Sequence, residues 1–505
     1  MTESTHSTAT DETNITTRKI GYLFGPLLFV MTLLTLPPVG MGEGAWIVCG
    51  LVMWMAVWWM SEAVPLPVTA LLPVIIYPLA EILPLKKALV AYANPIIFLF
   101  MGGFLIAIAI QKCNLHVRIA LNIVRIIGTR PDRMVAGFMT ASAFLSMWIS
   151  NTATMLMMLP IALSTVSLLR EKMEKENFVA PKEFAICMLL GIAYASSVGG
   201  IGTLIGTPPN AIMSGYMRQA YDFEIGFFEW MKVGIPMVVV MITVMWFVMT
   251  RLLFALPRTD GSASRALIQS ELAKLGPMSA DEKRVTLIAS LTALLWMFHP
   301  LISKVIPLTF NDTVIAMLGA MLLFTIPMET KTMRCVLTWK DAEKLPWGVL
   351  ILFGGGLSMA GGFSATGLGD WIGAQFTSAS EWPPIVMLVL VLVTITVTTT
   401  LMSNVASINV FIPIIVPMAV GLQIHPLFLA IPATMAASCA FMLPVSTANN
   451  AIAFGTGHVS IAQMARTGFI LNLIALPILV ALAYFVLIPV FGIDIGTVPD
   501  WALKH

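Results

Sequence analysis

Charged residues are scarce in this chain. Asp, Glu, Lys and Arg make up 11% of its 505 residues, while 58% are hydrophobic. Soluble domains carry about 25% charged residues, so the balance excludes a soluble fold and leaves a polytopic membrane protein. Cysteine is sparse too. Cys49, Cys113, Cys187, Cys335 and Cys439 are scattered and mostly inside apolar segments, which argues against a disulfide framework or a metal cluster. No nucleotide-binding loop, metal-ligand cluster or nucleophile–base arrangement is legible, so neither an enzyme nor a nucleic-acid partner is expected. No cleavable leader is expected: the first 17 residues are polar, and Arg18 and Lys19 precede an apolar run long enough to stay as a span. Residues 1–19 read as a disordered tail.

Long apolar runs are what the chain has in quantity. Read against charged punctuation, they predict spans near 20–37, 44–60, 66–80, 95–111, 184–200, 231–250, 285–300, 313–327, 348–366, 427–443 and 467–491. The fold class expected is all-α, with about eleven transmembrane helices. Two further segments, 134–169 and 385–424, are too long for one helix and have polar centres. Each reads as a re-entrant helical hairpin that enters and leaves on one side; the alternative is two ordinary spans joined by a tight turn. With a cytoplasmic N-terminus, only Lys86, Lys87, Arg218, Lys232, Lys304 and Lys504 of the 28 basic residues fall outside, and 28 − 6 = 22 fall inside. The positive-inside rule requires this bias. The odd span count then places the C-terminus outside, and the plasma (inner) membrane is the expected location. The stretch 256–284 reads as a cytoplasmic surface helix, and Trp54, Trp58, Trp59, Trp347, Trp371 and Trp382 as interfacial anchors.

The polar centres repeat. "SNTATMLMMLP" starts at Ser150 and "SNVASINVFIP" at Ser403, an offset of 403 − 150 = 253. The same offset pairs "LFMGG" (99–103) with "LFGGG" (352–356). Further on, "GTPPNAI" (206–212) matches "STANNAI" (446–452), Asn210 against Asn450, at an offset of 240. The lost 13 residues fit the charged loop "REKMEKENFVAPKEF", absent from the second half. Equivalent spans lie five apart in the chain, so the halves insert with opposite orientation. Inverted-topology repeats of this kind build many secondary transporters. The glycine runs are assigned to close helix packing and to no ligand.

At each hairpin tip one helix ends with unpartnered carbonyls and another starts with free N–H groups. Such backbone survives at membrane depth only where protein or a hydrated cavity satisfies it. Carbonyls suit a small cation; N–H groups backed by the helix dipole suit an anion. "SSVGGIGTLIGTPPN" (196–210) and "PVSTANN" (444–450) read as further helix breaks. None of these four elements contains Asp, Glu, Lys, Arg or His. A proton-coupled carrier would show an intramembrane carboxylate or His. A dianion held without Arg or Lys needs positive charge from elsewhere, and Na⁺ held by oxygens supplies it as coupling ion.

These residues resemble the divalent anion/sodium symporter family, carriers of dicarboxylates, citrate and sulfate; "SMWISNTATMLMMLP" and "ASCAFMLPV" are close to its signatures. The resemblance covers about residues 20–492. It implies a homodimer, elevator-type transport and two domains. A scaffold would take 20–133 and 285–372, a transport domain 134–255 and 373–492, with 256–284 a connector and 493–505 a tail. By position it implies a first sodium site from Ser146, Ser150, Asn151 and Gly199, and a second from Thr399, Met402, Asn404 and Ser446. Asn151, Thr152, Gly200, Asn404, Val405, Thr447 and Ala448 would face the substrate. Val405 departs from the family's threonine, and Ala448 and Asn449 from its two prolines. A C4-dicarboxylate such as succinate, malate or fumarate is the first expectation for the substrate, and sulfate or another oxyanion the second. A dicarboxylate exchanger of the same fold and an anion channel remain alternatives.

Overall fold

The computed structural model describes residues 4–175, 182–257, 261–305, 311–329 and 333–503. Part of the charged loop of the first half, Lys331 and Lys504 therefore lie outside the described residues. Apart from a short antiparallel pair, Pro327–Glu329 with Arg334–Cys335, the regular structure described is helical.

The first half runs α1 (Ser4–Leu34), α2 (Glu43–Ser61), α3 (Leu66–Thr69), α4 (Leu72–Leu79), α5 (Leu85–Val90), α6 (Pro95–Lys112) and α7 (Leu115–Ile127). It continues with α8 (Pro131–Ser146), α9 (Asn151–Lys175), α10 (Lys182–Gly199), α11 (Pro208–Tyr221) and α12 (Phe227–Phe247). The connector holds α13 (Ser262–Leu275). The second half runs α14 (Ala280–Val305), α15 (Asp312–Thr325), α16 (Trp339–Ala342), α17 (Trp347–Thr366) and α18 (Leu368–Phe376). It ends with α19 (Pro384–Leu401), α20 (Asn404–Gly421), α21 (Pro426–Ala437), α22 (Ala448–Gly455) and α23 (Ile461–Leu482).

Every expected span lies on a helix or helix pair. Among the described residues ten helices are long and apolar enough to cross a membrane, and α9, α19 and α20, the hairpin arms, are three of them. The other seven, with α14 and the three shorter apolar segments 66–79, 312–325 and 426–437, give 7 + 1 + 3 = 11. Three boundaries differ from expectation. Helix α21 ends at Ala437 rather than near 443. Helix α1 begins at Ser4, so helix occupies most of the segment read as a disordered tail. The break after α10 begins at Gly200 rather than Ser196, because Ser196 and Ser197 return their hydroxyls to the carbonyls of Ile192 and Ala193 and stay helical.

The repeat extends well beyond the motifs that reveal it. At an offset of 253, Pro131 opens α8 where Pro384 opens α19, and Asn151 opens α9 where Asn404 opens α20. Asn114 and Gly367, at φ 59° and 69°, precede α7 and α18 at that same offset. At 240, Thr207 and Thr447 cap α11 and α22 with nearly the same backbone, φ −146° and −145°. Helices α12 and α23 both run into a π-helical turn, Val248–Leu253 and Ala483–Leu487.

Helices α10 and α21 form the centre: Phe184–Gly199 and Pro426–Ala437 are buried all round. Their Gly, Ala and Ser let neighbours approach, as helix packing in a bilayer requires. Around them the halves interlock. Helix α9 packs on α22, and α20 packs on α11, so each hairpin's second arm rests on the opposite repeat's broken helix. The glycine runs pack as expected: a Cβ on Gly102 would lie 2.7 Å from the Ala316 backbone, and one on Gly355 2.4 Å from Ala70 O. Among the tryptophans, Trp59 is not an anchor. It is 1% exposed, and its Nε1 donates to Leu66 O at 3.2 Å.

Candidate ion and anion site at the helix breaks

The site starts with how each hairpin turns. Helix α8 ends at Ser146, the chain turns through Met147–Ile149, and Ser150 caps α9 by accepting from Ala153 N at 3.3 Å. Ser403 caps α20 in the same manner, from Ala406 N at 3.2 Å. The serine of each motif is therefore an N-cap, which satisfies one of the helix's free N–H groups. Thr203, in the break, donates its hydroxyl to Met147 O, tying the first tip to the first break.

Asn151 lies at the middle of that junction. Its head group faces three acceptors: Ser146 Oγ at 2.6 Å, Gly206 O at 3.1 Å and Ser196 O at 3.2 Å. The two ends of an amide have the same shape, so two arrangements fit this space. With the amino group turned inward, Asn151 donates to all three, and Ser146 Oγ passes its own hydrogen to Ser196 O at 2.6 Å. With Oδ1 turned inward, four uncharged oxygens face one another, a donor set that suits a hard cation such as Na⁺. Close packing enforces the geometry. A Cβ on Gly200 would meet Asn151 Oδ1 at 2.6 Å, and one on Gly206 would meet Gly200 O at 2.5 Å.

Of the residues assigned by resemblance, Ser146 and Asn151 are brought into contact, and Gly200 packs against Asn151. Gly199 packs on the other side, where its Cβ position lies 2.3 Å from Ala143 O in α8. Ser150 is the cap, and Thr152 is half-buried on the first turn of α9.

The second half is looser. Among the described residues no hydrogen bond joins Thr399 to Asn404; the Thr399 hydroxyl donates to Thr396 O at 3.2 Å. Met402 is extended (φ −137°, ψ 167°) and breaks the helix. Ser446 donates to Leu443 O at 2.6 Å, and Thr447 Oγ1 accepts from Asn450 N at 3.3 Å as the cap of α22. Val405 is half-buried and Ala448 exposed. Asn449 turns away from the tip, donating to Ser197 Oγ at 3.1 Å in α10, so this departure from the family pattern links the two repeats.

Two groups were missed from sequence, the carbonyls of Ser196 and Gly206. A signal existed for one of them: 446 − 240 = 206, so the repeat maps Ser446, already assigned to the second sodium site, onto Gly206.

Uncharged polar groups at paired helix breaks, in an inverted repeat of helices, fit a secondary carrier rather than an enzyme. The chain belongs to the sodium:sulfate symporter family, whose transmembrane-region model matches residues 17–492. It is 40% identical over 482 residues to the sodium-dependent dicarboxylate transporter SdcS of Staphylococcus saprophyticus, covering 94% of this chain and 92% of that one. To SdcS of Staphylococcus aureus strain USA300 it is 42% identical over 481 residues, with the same coverage. In fold it is similar to the YdaH transporter of Alcanivorax borkumensis (TM-score 0.56, 15% identity, 82% of this chain and 89% of that one). MtrF of Neisseria gonorrhoeae is similar in fold as well (TM-score 0.56, 13% identity, 82% and 84%).

Proposed function

We infer that this chain is a sodium-coupled secondary active symporter of dicarboxylates, with C4-dicarboxylates as the leading substrates. The observation that carries this reading is the Asn151 junction: oxygen ligands for a cation, in a segment without one cationic side chain. The two staphylococcal relatives, named for sodium-dependent dicarboxylate transport, support the same ion and the same cargo. Bound Na⁺ supplies the positive charge that Arg would supply elsewhere, and the N–H groups opening α9, α11, α20 and α22 face the substrate's carboxylates. Coupling follows, because the anion binds well only after the cations.

The remaining assignments belong to this reading. Ser146, Ser150, Asn151 and Gly199, joined by Ser196 and Gly206, hold the first sodium; Thr399, Met402, Asn404 and Ser446 hold the second. Asn151, Thr152, Gly200, Asn404, Val405, Thr447 and Ala448 form the substrate surface. The hairpins and broken helices move together as the transport domain of a homodimer, past a scaffold built from residues 20–133 and 285–372. The N-terminus is cytoplasmic and the C-terminus outside, in the plasma membrane.

The test is uptake of labelled succinate and sulfate into proteoliposomes. An inward sodium gradient should raise succinate uptake at least about tenfold over a potassium gradient of equal strength, the change that about 1.4 kcal/mol of coupling yields. Sulfate uptake should remain lower. Equal succinate uptake under both gradients, with stimulation by internal dicarboxylate alone, would make the protein an exchanger.

A further inference from the structure

We propose that Asn210 and Asn450 are positioning residues for the two ion sites, each fixing the carbonyl that its helix break turns toward a hairpin tip. This rests on the sodium-coupled reading above. The observation is a pair of amide-to-carbonyl hydrogen bonds repeated in both halves. Asn210 Nδ2 donates to Gly200 O at 3.0 Å and Thr203 O at 2.8 Å. Asn450 Nδ2 donates to Ala440 O and Leu443 O, both at 3.0 Å, and also to Ser446 Oγ at 3.3 Å, a bond that Gly206 in the first half has no hydroxyl to accept. All three residues are displaced by 240: 200 to 440, 203 to 443, 210 to 450. Both asparagines are 0% exposed.

The clamp reaches the ion ligands through one shared acceptor. Thr203 O also accepts from Gly206 N at 3.3 Å, and Leu443 O from Ser446 N at 3.3 Å. Gly206 and Ser446 are again 240 apart. Gly206 is the residue whose carbonyl faces Asn151 at 3.1 Å. Each amide thus occupies two carbonyls of the break and, through the second, orients the residue whose own carbonyl is left for the cation. The arrangement is retained although Asn210 Oδ1 and Asn450 Oδ1 are both buried without a partner among the described residues. A buried unpartnered oxygen is costly, so the two donor bonds are the part of each amide that the fold uses.

The experiment measures sodium activation of succinate uptake by the full-length chain in proteoliposomes, for wild type, Asn210→Ala, Asn210→Asp and Asn450→Ala. Removing either clamp should raise the half-saturating sodium concentration about tenfold. The succinate KM at saturating sodium should stay within about threefold, because the anion's own ligands are intact. Asn210→Asp keeps the shape and, protonated in its buried site, one donor, and should give a smaller rise. If Asn210→Ala cannot be recovered folded, the Asp variant and Asn450→Ala decide by the same curve. A lower maximal rate with an unmoved sodium curve would reduce the clamp to packing and overturn the proposal. Wild-type uptake indifferent to sodium would overturn the carrier reading itself.

Discussion

Replacing Asn151 with alanine should abolish sodium-dependent uptake, lowering it at least about a hundredfold while the protein still inserts and stays monodisperse. The size of the effect follows from what the amide touches. Ser196 O, Gly206 O and Ser146 Oγ converge on it within 3.2 Å. Its removal takes away the donor to Gly206 O and Ser146 Oγ or, with Oδ1 inward, the fourth oxygen beside them; only Ser196 O keeps a donor, the Ser146 hydroxyl. An abandoned buried acceptor costs about 1–3 kcal/mol, and about 2.7 kcal/mol is already a factor of a hundred. Ser150→Ala is the informative contrast. Its hydroxyl caps α9, so its loss should cost about 1 kcal/mol of stability; because Ser150 also belongs to the proposed first sodium site, uptake should fall too, though less than in Asn151→Ala. Normal uptake by Asn151→Ala would remove this residue from the site.

The second large effect belongs to Gly199. An added methyl group would lie 2.3 Å from Ala143 O, 2.5 Å from its Cα and 2.7 Å from its carbonyl carbon. These are backbone atoms of a helix, with no side chain free to yield, so α8 must move off α10. Overpacking of this kind costs about 1–3 kcal/mol or more, and here the displacement falls on the helix that ends at Ser146. Gly199→Ala should therefore lower the unfolding temperature by several degrees and eliminate uptake. Gly455→Ala, where nothing lies within 4 Å of the added atom, should change neither by a measurable amount. Equal stability of Gly199→Ala and wild type in a thermal-unfolding assay would show that α8 and α10 have room to separate.

Much of this architecture was legible because the bilayer makes unpaired backbone conspicuous. A Ser-Asn pair in a 36-residue uncharged run must be explained, and its recurrence 253 residues later located both hairpins and the inversion of the repeat. Pro131 and Pro384 opening α8 and α19 follow from the same register. Less legible was whatever depends on carbonyls, since every residue has one and the letter does not say where it points. Ser196 O and Gly206 O belong to that group. So does the difference between the halves. Ser146 and Thr399 are equivalent in sequence, yet Ser146 bonds Asn151 while Thr399 bonds its own helix. A threonine on a helix readily returns its hydroxyl to a carbonyl one turn back, and the sequence alone does not decide which acceptor it takes. Trp59 was misread for a related reason: an indole near a span's end serves as an anchor or as core, and here Leu66 O supplies the partner that burial needs.

The central claim is that sodium takes the place of a cationic side chain in binding the anion. Equilibrium binding tests it without the complications of transport. Labelled succinate should be titrated into the purified full-length protein at several sodium concentrations, with choline holding ionic strength constant. Two cation sites coupled to one anion site require the logarithm of the affinity to rise with the logarithm of sodium at a slope above one and approaching two, and to fall to background in choline alone. An affinity that is the same in sodium and in choline would contradict the account.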